Sequence, residues 1–288
     1  MKLLSYFLKK QAINYGKITN WQNIALSENL FYSFRDTEYN QTNYPSNLHY
    51  HDYYELVIFV DGDIEYFCNQ NVYSVKKGDA IIIPPHTFHL SRLTNKSTQY
   101  KRHVFYFFGE QLDKELLSVL TEKIKTGGVY QSEQVLRLAN AIKEQADQGD
   151  TIKKACCNAI FTQIICSLLT ENRFSSDNGQ TLPERLSQIK SFIDNNYSQI
   201  TSVTDVANEF FYSREYLSRL FKQYFNTTVN EYINKIRVAE SQKLLIKGIS
   251  VTDACFKVGF GSLSTYIRVF NSVTGMTPLE YKKAVAVK

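Results

Sequence analysis

The chain has little of what builds a cross-linked or membrane-anchored protein. Its five cysteines are an odd number, none forms a Cys-x-x-Cys pair, and Cys156 and Cys157 are adjacent. This is reduced, cytosolic usage, which excludes a disulfide frame and a thiolate zinc site. No run of about 18 purely apolar residues occurs, so no membrane span is expected. The first ten residues mix leucine and phenylalanine with three lysines, without the basic-then-apolar order or cleavage site of a signal peptide. Net charge is missing from most of the chain as well. Residues 1–180 carry 19 Lys+Arg and 19 Asp+Glu, whereas residues 181–288 carry 14 and 9. All of the net +5 therefore lies in the last third. Excess positive charge confined to one region is the footprint of a polyanion binder, although a solvated surface gives the same count.

That last third also holds a duplication. Ser202-Val203-Thr204-Asp205 recurs as Ser250-Val251-Thr252-Asp253. Tyr216-Leu217-Ser218-Arg219-Leu220-Phe221 then answers Thr265-Tyr266-Ile267-Arg268-Val269-Phe270, and Glu231-Tyr232 answers Glu280-Tyr281. Two copies are too few for a solenoid, which needs about three repeats to bury its core. Two helix-turn-helix units explain the repeat. In each, a Ser/Thr N-cap precedes a short helix with an acid in its first turn, where the helix dipole favours it. Val203, Val206, Ala207 and Phe210 form the inner face of the first short helix, and Val251, Ala254, Cys255 and Val258 that of the second. A turn follows, with Gly259 and Gly261 in the second copy, and a further helix starts after Ser213 or Ser262. Leu217, Leu220, Phe221 and Tyr224 face inward in one copy; Tyr266, Val269 and Phe270 do so in the other. The i, i+3, i+4 spacing then leaves Arg214, Glu215, Ser218, Arg219 and Lys222 on one outward stripe. Leu263, Ser264, Ile267, Arg268 and Asn271 fill the same positions in the second copy. A major groove about 12 Å wide admits such a helix, and arginine bonds guanine bidentately.

The first half reads differently. Leu30–Phe34, Glu55–Val60, Ile64–Cys68, Tyr73–Val75, Ala80–Ile83 and His103–Phe108 are short β-branched and aromatic runs. Turn signals at Asp61-Gly62-Asp63 and Lys77-Gly78-Asp79 separate some of them. Many short strands at this spacing predict a small antiparallel barrel or sandwich. Helical periodicity takes over at Glu110–Lys125, Ser132–Gln148 and Thr151–Thr170. In the third, Ile152, Ala155, Cys156, Ala159, Ile160, Ile164 and Leu168 are expected to make one apolar stripe, covering the barrel or pairing with a second subunit. Residues 172–182 are polar and read as a linker. Pro183 suits the first turn of a new helix.

The segment from Val258 to Phe270, followed by Gly275-Met276-Thr277-Pro278-Leu279-Glu280-Tyr281, resembles the signature of the AraC/XylS family of bacterial transcription regulators. The likeness covers about residues 183–285. It implies seven helices in two helix-turn-helix units, joined by a long helix near Val229–Lys247. It also implies that Arg214, Glu215, Ser218 and Arg219, then Leu263, Ser264, Ile267 and Arg268, read bases. Leu263 and Ile267 are apolar where many members are polar, which suits thymine methyls. Asn226 stands where the second copy has Gly275; asparagine tolerates the left-handed backbone. In the first half, His49-Tyr50-His51-Asp52-Tyr53-Tyr54-Glu55, with Gly62, Gly78, Pro84 and His89, resembles the two motifs of the cupin barrel, the usual sensor domain of this family.

The resemblance implies an α+β two-domain protein. Residues 1–171 would be an N-terminal antiparallel, cupin-like β-barrel with flanking helices. Residues 183–288 would be an all-α domain with the two helix-turn-helix units. The function implied is a cytoplasmic, sequence-specific, DNA-binding transcription regulator. A small molecule, often a sugar, would bind among His49, His51, Glu55, Tyr66, His89 and, more loosely, Arg35. Double-stranded DNA, RNA polymerase and a second copy are the implied partners. Neither a cofactor nor catalysis is expected. Two alternatives stay open: a cupin enzyme with metal on His49, His51, Glu55 and His89, and a regulator needing no ligand.

Overall fold

The computed structural model describes residues 24–40, 47–68, 71–95, 97–124, 128–146, 149–170 and 179–286. The chain forms two compact units. One holds the described residues up to Thr181 except Asn47–His49; the other holds those three together with the chain from Leu182 onward.

Two antiparallel sheets make the first unit. The larger has the order β1-β2-β8-β3-β6-β9, from β1 (Ile24–Ala25), β2 (Leu30–Asn40), β3 (Tyr54–Asp61), β6 (Asp79–Ile83), β8 (Ser97–Phe107) and β9 (Gly128–Gln131). The smaller has the order β10-β5-β4-β7, from β4 (Ile64–Cys68), β5 (Asn71–Val75), β7 (His89–Leu93) and β10 (Gly179–Thr181). Among the described residues no ladder joins them, so the expected barrel is a two-sheet sandwich. Period-2 alternation sorts the large sheet's side chains. Leu30, Tyr32, Leu56, Ile58, Ala80, Ile82, Phe105 and Phe107 are buried toward the helices. The alternate residues, among them Arg35, Glu55, Phe59, Arg102 and Tyr106, face the smaller sheet, where Phe59 meets Tyr66 edge-on at 6.0 Å.

Three helices cover the outer face of the large sheet: α1 (Lys114–Lys123), α2 (Glu133–Gln145) and α3 (Thr151–Thr170). Local chemistry sets their starts. Asp113 accepts the Leu116 amide at 2.7 Å, Ser132 accepts that of Val135 at 3.2 Å, and Asp150 accepts that of Ile152 at 2.8 Å. The helix expected from Glu110 therefore begins later, after a 3-10 turn at Gly109–Gln111.

The expected stripe of α3 needs correction. Its buried face is Cys157, Phe161, Ile164, Ile165, Leu168 and Leu169, with Phe161 packed on Phe105 and Phe107 at 5.3 and 5.0 Å. Ile152, Ala155, Cys156 and Ala159 are exposed on the other side. Both faces are apolar, and periodicity alone does not say which one enters the core. For the same reason α3 is long and apolar enough to cross a membrane, with a mean hydropathy of 1.3. The sequence contained no purely apolar run, yet an 18-residue window of this helix passes by composition. Its wholly buried face nonetheless belongs to the sandwich core.

Strands β7, β9 and β10 lie where none was expected. Each is short and is held by one neighbour: β4, β6 and β5 respectively. β10 occupies the end of the stretch expected as a linker; residues 172–178 of that stretch lie outside the described residues.

The second unit has seven helices among its described residues: α4 (Glu184–Asn196), α5 (Val203–Phe210), α6 (Arg214–Phe225), α7 (Val229–Ile246), α8 (Val251–Lys257), α9 (Leu263–Thr274) and α10 (Pro278–Ala286). The duplicated residues close equivalent joints. Asp205 accepts the amides of Thr201 and Ser202 at 2.7 and 3.0 Å, completing a capping box on α5. On α8, Ser250 accepts the Asp253 amide at 3.0 Å and donates its hydroxyl to the Asp253 carboxylate at 2.6 Å. Glu231 and Glu280 accept the amides of Thr228 and Thr277 at 2.8 and 2.7 Å. Capping of this kind typically contributes about 1 kcal/mol per helix. Tyr232 and Tyr281, next in sequence to those acids, are wholly buried.

Candidate DNA-reading helices and sensor site

The two helix-turn-helix units are α5–α6 and α8–α9. Ser213 and Ser262 cap the second helix of each by accepting the amides of Tyr216 and Thr265. Leu217, Phe221 and Phe225 anchor α6 in the core; Tyr266, Val269 and Phe270 anchor α9. The opposite faces are open. Arg214, Glu215, Arg219 and Lys222 are exposed and Ser218 is half-buried on α6; Ser264, Ile267, Arg268 and Asn271 are exposed and Leu263 is half-buried on α9. The expected outward stripes are thus on the surface in both copies. Arg219 and Arg268 occupy corresponding places on helices anchored alike.

The Glu215 carboxyl is held below its usual range by its own backbone amide and then by the Ser213 hydroxyl. It is folded back on the start of its helix, where the dipole favours a negative charge. The second helices of both units end in a left-handed residue, Asn226 at φ 49 and Gly275 at φ 77, as their sequence correspondence suggested. The first helices of the two units share another such joint. Tyr212 donates its amide to Ala207, and Phe260 donates to Cys255, at 2.9 and 3.1 Å. The residues that turn the chain there, Phe211 and Gly259, have φ 57 and 91.

In the sandwich, the faces of β3, β8 and β7 bring a polar group together inside an aromatic wall. Glu55 is buried between two histidines. Its Oε2 lies 2.9 Å from His51 Nε2 and 3.3 Å from His89 Nε2. The Nδ1 atoms are turned to backbone carbonyls, that of His51 to Tyr53 at 2.7 Å and that of His89 to Thr87 at 2.9 Å. With Nδ1 donating, each Nε2 faces the carboxylate and donates to it only when its ring carries the second proton. Burial alone would raise the Glu55 pKa, but hydrogen bonds from His51 and His89 outweigh it and hold the carboxyl well below its usual range. Burial lowers His51, opposed by its bond to Glu55.

Tyr53 stacks on the His51 ring at 4.1 Å and Tyr66 lies parallel to the His89 ring at 6.3 Å. Arg35 Nη2 donates to the Tyr106 hydroxyl at 2.9 Å, and its Nε donates to Ser33 at 3.1 Å. Burial pushes the Tyr106 hydroxyl up to about 12, with Arg35 pulling the other way. Across the β2–β8 ladder Arg35 pairs with Arg102, whose guanidinium lies over the Tyr100 ring at 3.8 Å. Arg102, Tyr106 and Tyr53 were not singled out in the sequence. The period-2 alternation of Tyr100, Arg102, Val104 and Tyr106, three of them polar-headed, was the signal that places these side chains on one face. His49 is half-buried, with Nδ1 against the Asn47 carbonyl at 2.8 Å; both residues belong to the segment grouped with the second unit.

Chemically, the Glu55 group can hold a proton between carboxylate and imidazole, or offer oxygen and nitrogen donors to a bound molecule. Two imidazoles and a carboxylate, with their Nδ1 atoms anchored, are also donor types that suit a divalent transition metal.

Comparison with known proteins follows the same division. The family described as AraC-like ligand binding domain matches residues 32–164, and the one described as helix-turn-helix domain matches residues 206–284. The melibiose operon regulatory protein of Escherichia coli K12 is 25% identical over 253 residues, covering 82% of this chain and 83% of its own. The transcriptional activator RhaS of Yersinia pestis is 24% identical over 244 residues, covering 81% and 88%. Among solved structures, ToxT from Vibrio cholerae is 15% identical, with a TM-score of 0.37 and coverage of 87% and 98%. With a ligand-binding domain joined to a DNA-binding helix-turn-helix domain, this chain belongs to the AraC family of transcription regulators.

Proposed function

We propose that α6 and α9 enter successive major grooves of one duplex, about 34 Å apart, and that Arg214, Glu215, Ser218, Arg219, Lys222, Leu263, Ser264, Ile267 and Arg268 contact DNA. The observation that carries this reading is the matched exposure of Arg219 and Arg268 on two helices with equivalent caps and anchors. Ser218 and Arg219 bond base edges in the first groove. Leu263 and Ile267 meet thymine methyls in the second, where Arg268 supplies the polar contact. Changing Arg219 or Arg268 to alanine is expected to cost about 1–3 kcal/mol on a selected site and far less on random DNA. Equal losses on both would sink the assignment.

The effector binds among Glu55, His51, His89, Tyr66 and Arg35. Fixed donors and acceptors among aromatic rings suit a polyhydroxyl molecule such as a sugar, and one relative carries melibiose in its name. The effector shifts regulation only through its differential affinity for the two states of the protein. The protein works in the cytoplasm, acts with RNA polymerase, and performs no catalysis of its own. The exposed apolar side of α3, with Ile152, Ala155, Cys156 and Ala159, covers the same face of a second copy. A metal with ligands drawn from His49, His51, Glu55 and His89 is the second reading, favoured by the anchored Nδ1 atoms of His51 and His89; metal analysis of purified protein separates the two.

A further inference from the structure

Phe211 is 95% exposed, the most open of the large apolar side chains among the described residues. It is also in a left-handed backbone, φ 57, which strains an L-residue and is an outlier for a bulky side chain. The joint itself explains the backbone. The Tyr212 amide reaches back to Ala207, just as Phe260 reaches Cys255 in the second unit. This closure demands a left-handed residue at the position between. The second unit meets the demand with Gly259, where any Cβ would strike the Ser198 carbonyl at 2.3 Å. The first unit meets it with a phenylalanine whose ring is left in water. Neither folding nor packing accounts for that choice. An observed backbone outlier of this kind points to function.

The place of the ring names the occupant. Phe211 ends α5 and stands three residues ahead of Arg214, at the end of α6 that reads DNA. Tyr216, 38% exposed on the first turn of α6, lies tilted against the Tyr212 ring at 4.6 Å. Phe211 thus directly precedes an aromatic pair that runs onto the first turn of α6. In the second unit the corresponding residues are Gly259, the buried Phe260 and Thr265.

We propose that Phe211 is a further DNA-contact residue, whose ring lies against deoxyribose and thymine methyl at the lip of the groove entered by α6. The inference rests on the reading of α6 as a DNA-reading helix. An aromatic ring cannot bond phosphate, but it makes apolar contact with thymine methyls, while Arg214 beside it supplies the charge. It gives the first groove an apolar contact that the second takes from Leu263 and Ile267.

The test uses the full chain and a duplex enriched by it from a randomised pool. Phe211→Asn removes the ring and keeps the backbone, because asparagine already holds φ 49 at residue 226. The variant is expected to melt at the same temperature or higher, and to bind the selected duplex about tenfold more weakly. Its salt dependence should match that of the unchanged protein, since no phosphate contact is lost. Phe211→Tyr should keep most of the affinity. Unchanged binding by Phe211→Asn, alone or with reduced transcription, would overturn the proposal; the second pattern would put the ring on a protein partner. Arg219→Ala serves as the control. If it weakens specific binding and Phe211→Asn does not, only this inference fails. If Arg219→Ala has no effect, the reading of α6 fails first.

Discussion

Gly259 and Ser198 are locked face to face: a Cβ on the glycine would lie 2.3 Å from the serine's carbonyl oxygen and 2.8 Å from its Cα. The backbone there is also left-handed, φ 91. Gly259→Ala therefore combines backbone strain with overpacking against backbone that cannot swing aside. A loss of about 2–4 kcal/mol is expected for the C-terminal unit, read from its denaturation midpoint. A loss below about 1 kcal/mol would show that the joint relaxes.

His103 makes the sandwich sensitive to acid. Its ring lies between the Tyr32 hydroxyl and Asn140, at 3.0 and 3.2 Å, and burial lowers its pKa from 6.5 to about 4. The folded protein then binds fewer protons than the unfolded chain between pH 6.5 and 4. Stability is fully present above pH 6.5 and falls as pH drops toward 4, by about 3 kcal/mol in total. Urea midpoints measured across that range should show the decline, and His103→Gln should flatten it. The same slope in both proteins would remove His103 as its source.

Glu55 is the acceptor on which His51 and His89 converge, so Glu55→Gln should abolish binding of the effector while leaving DNA binding to the isolated site near normal. A thermal-shift screen of sugars on the unchanged protein identifies the probe. If the variant still shifts with the molecule that shifts the unchanged protein, the effector site lies elsewhere. The low pKa of Glu55 adds a sign: its contribution to stability is present above the unfolded carboxylate value, near 4.3, and is lost as pH falls further toward its folded value.

The open side of α3 should report assembly. Ala159→Arg puts a charge in the middle of the exposed stripe without touching Phe161 or Ile164 on the buried face. Sedimentation should move from dimer to monomer, with the melting temperature of the sandwich little changed. A monomeric unchanged protein, or a variant that stays dimeric, would exclude this face as the contact.

Much of the C-terminal unit was legible because its signals are local. A serine or threonine three residues before an acid caps a helix through bonds that span one turn, as with Thr228 and Glu231. Asn226 and Gly275 announce left-handed ends through their own side chains, or lack of one. Phe211 sits at such an end without any such signal. There the hydrogen bond from Tyr212 to Ala207 sets the backbone, and propensity gives way.

The sequence by itself determined the two helix-turn-helix units, the outward placement of Arg219 and Arg268, and the extent of α3, since each depends on contacts within a few residues. Tertiary structure decided the rest. It chose which apolar side of α3 enters the core, because Phe161 finds Phe105 and Phe107 and Ile152 finds nothing comparable. It made strands of β7, β9 and β10, because a short extended segment is stable only when a neighbour takes its backbone bonds. It also set Arg102 opposite Arg35 and brought His89 to Glu55. Those last relations join residues 67 and 34 apart in sequence, and only the register and facing of strands could bring them together.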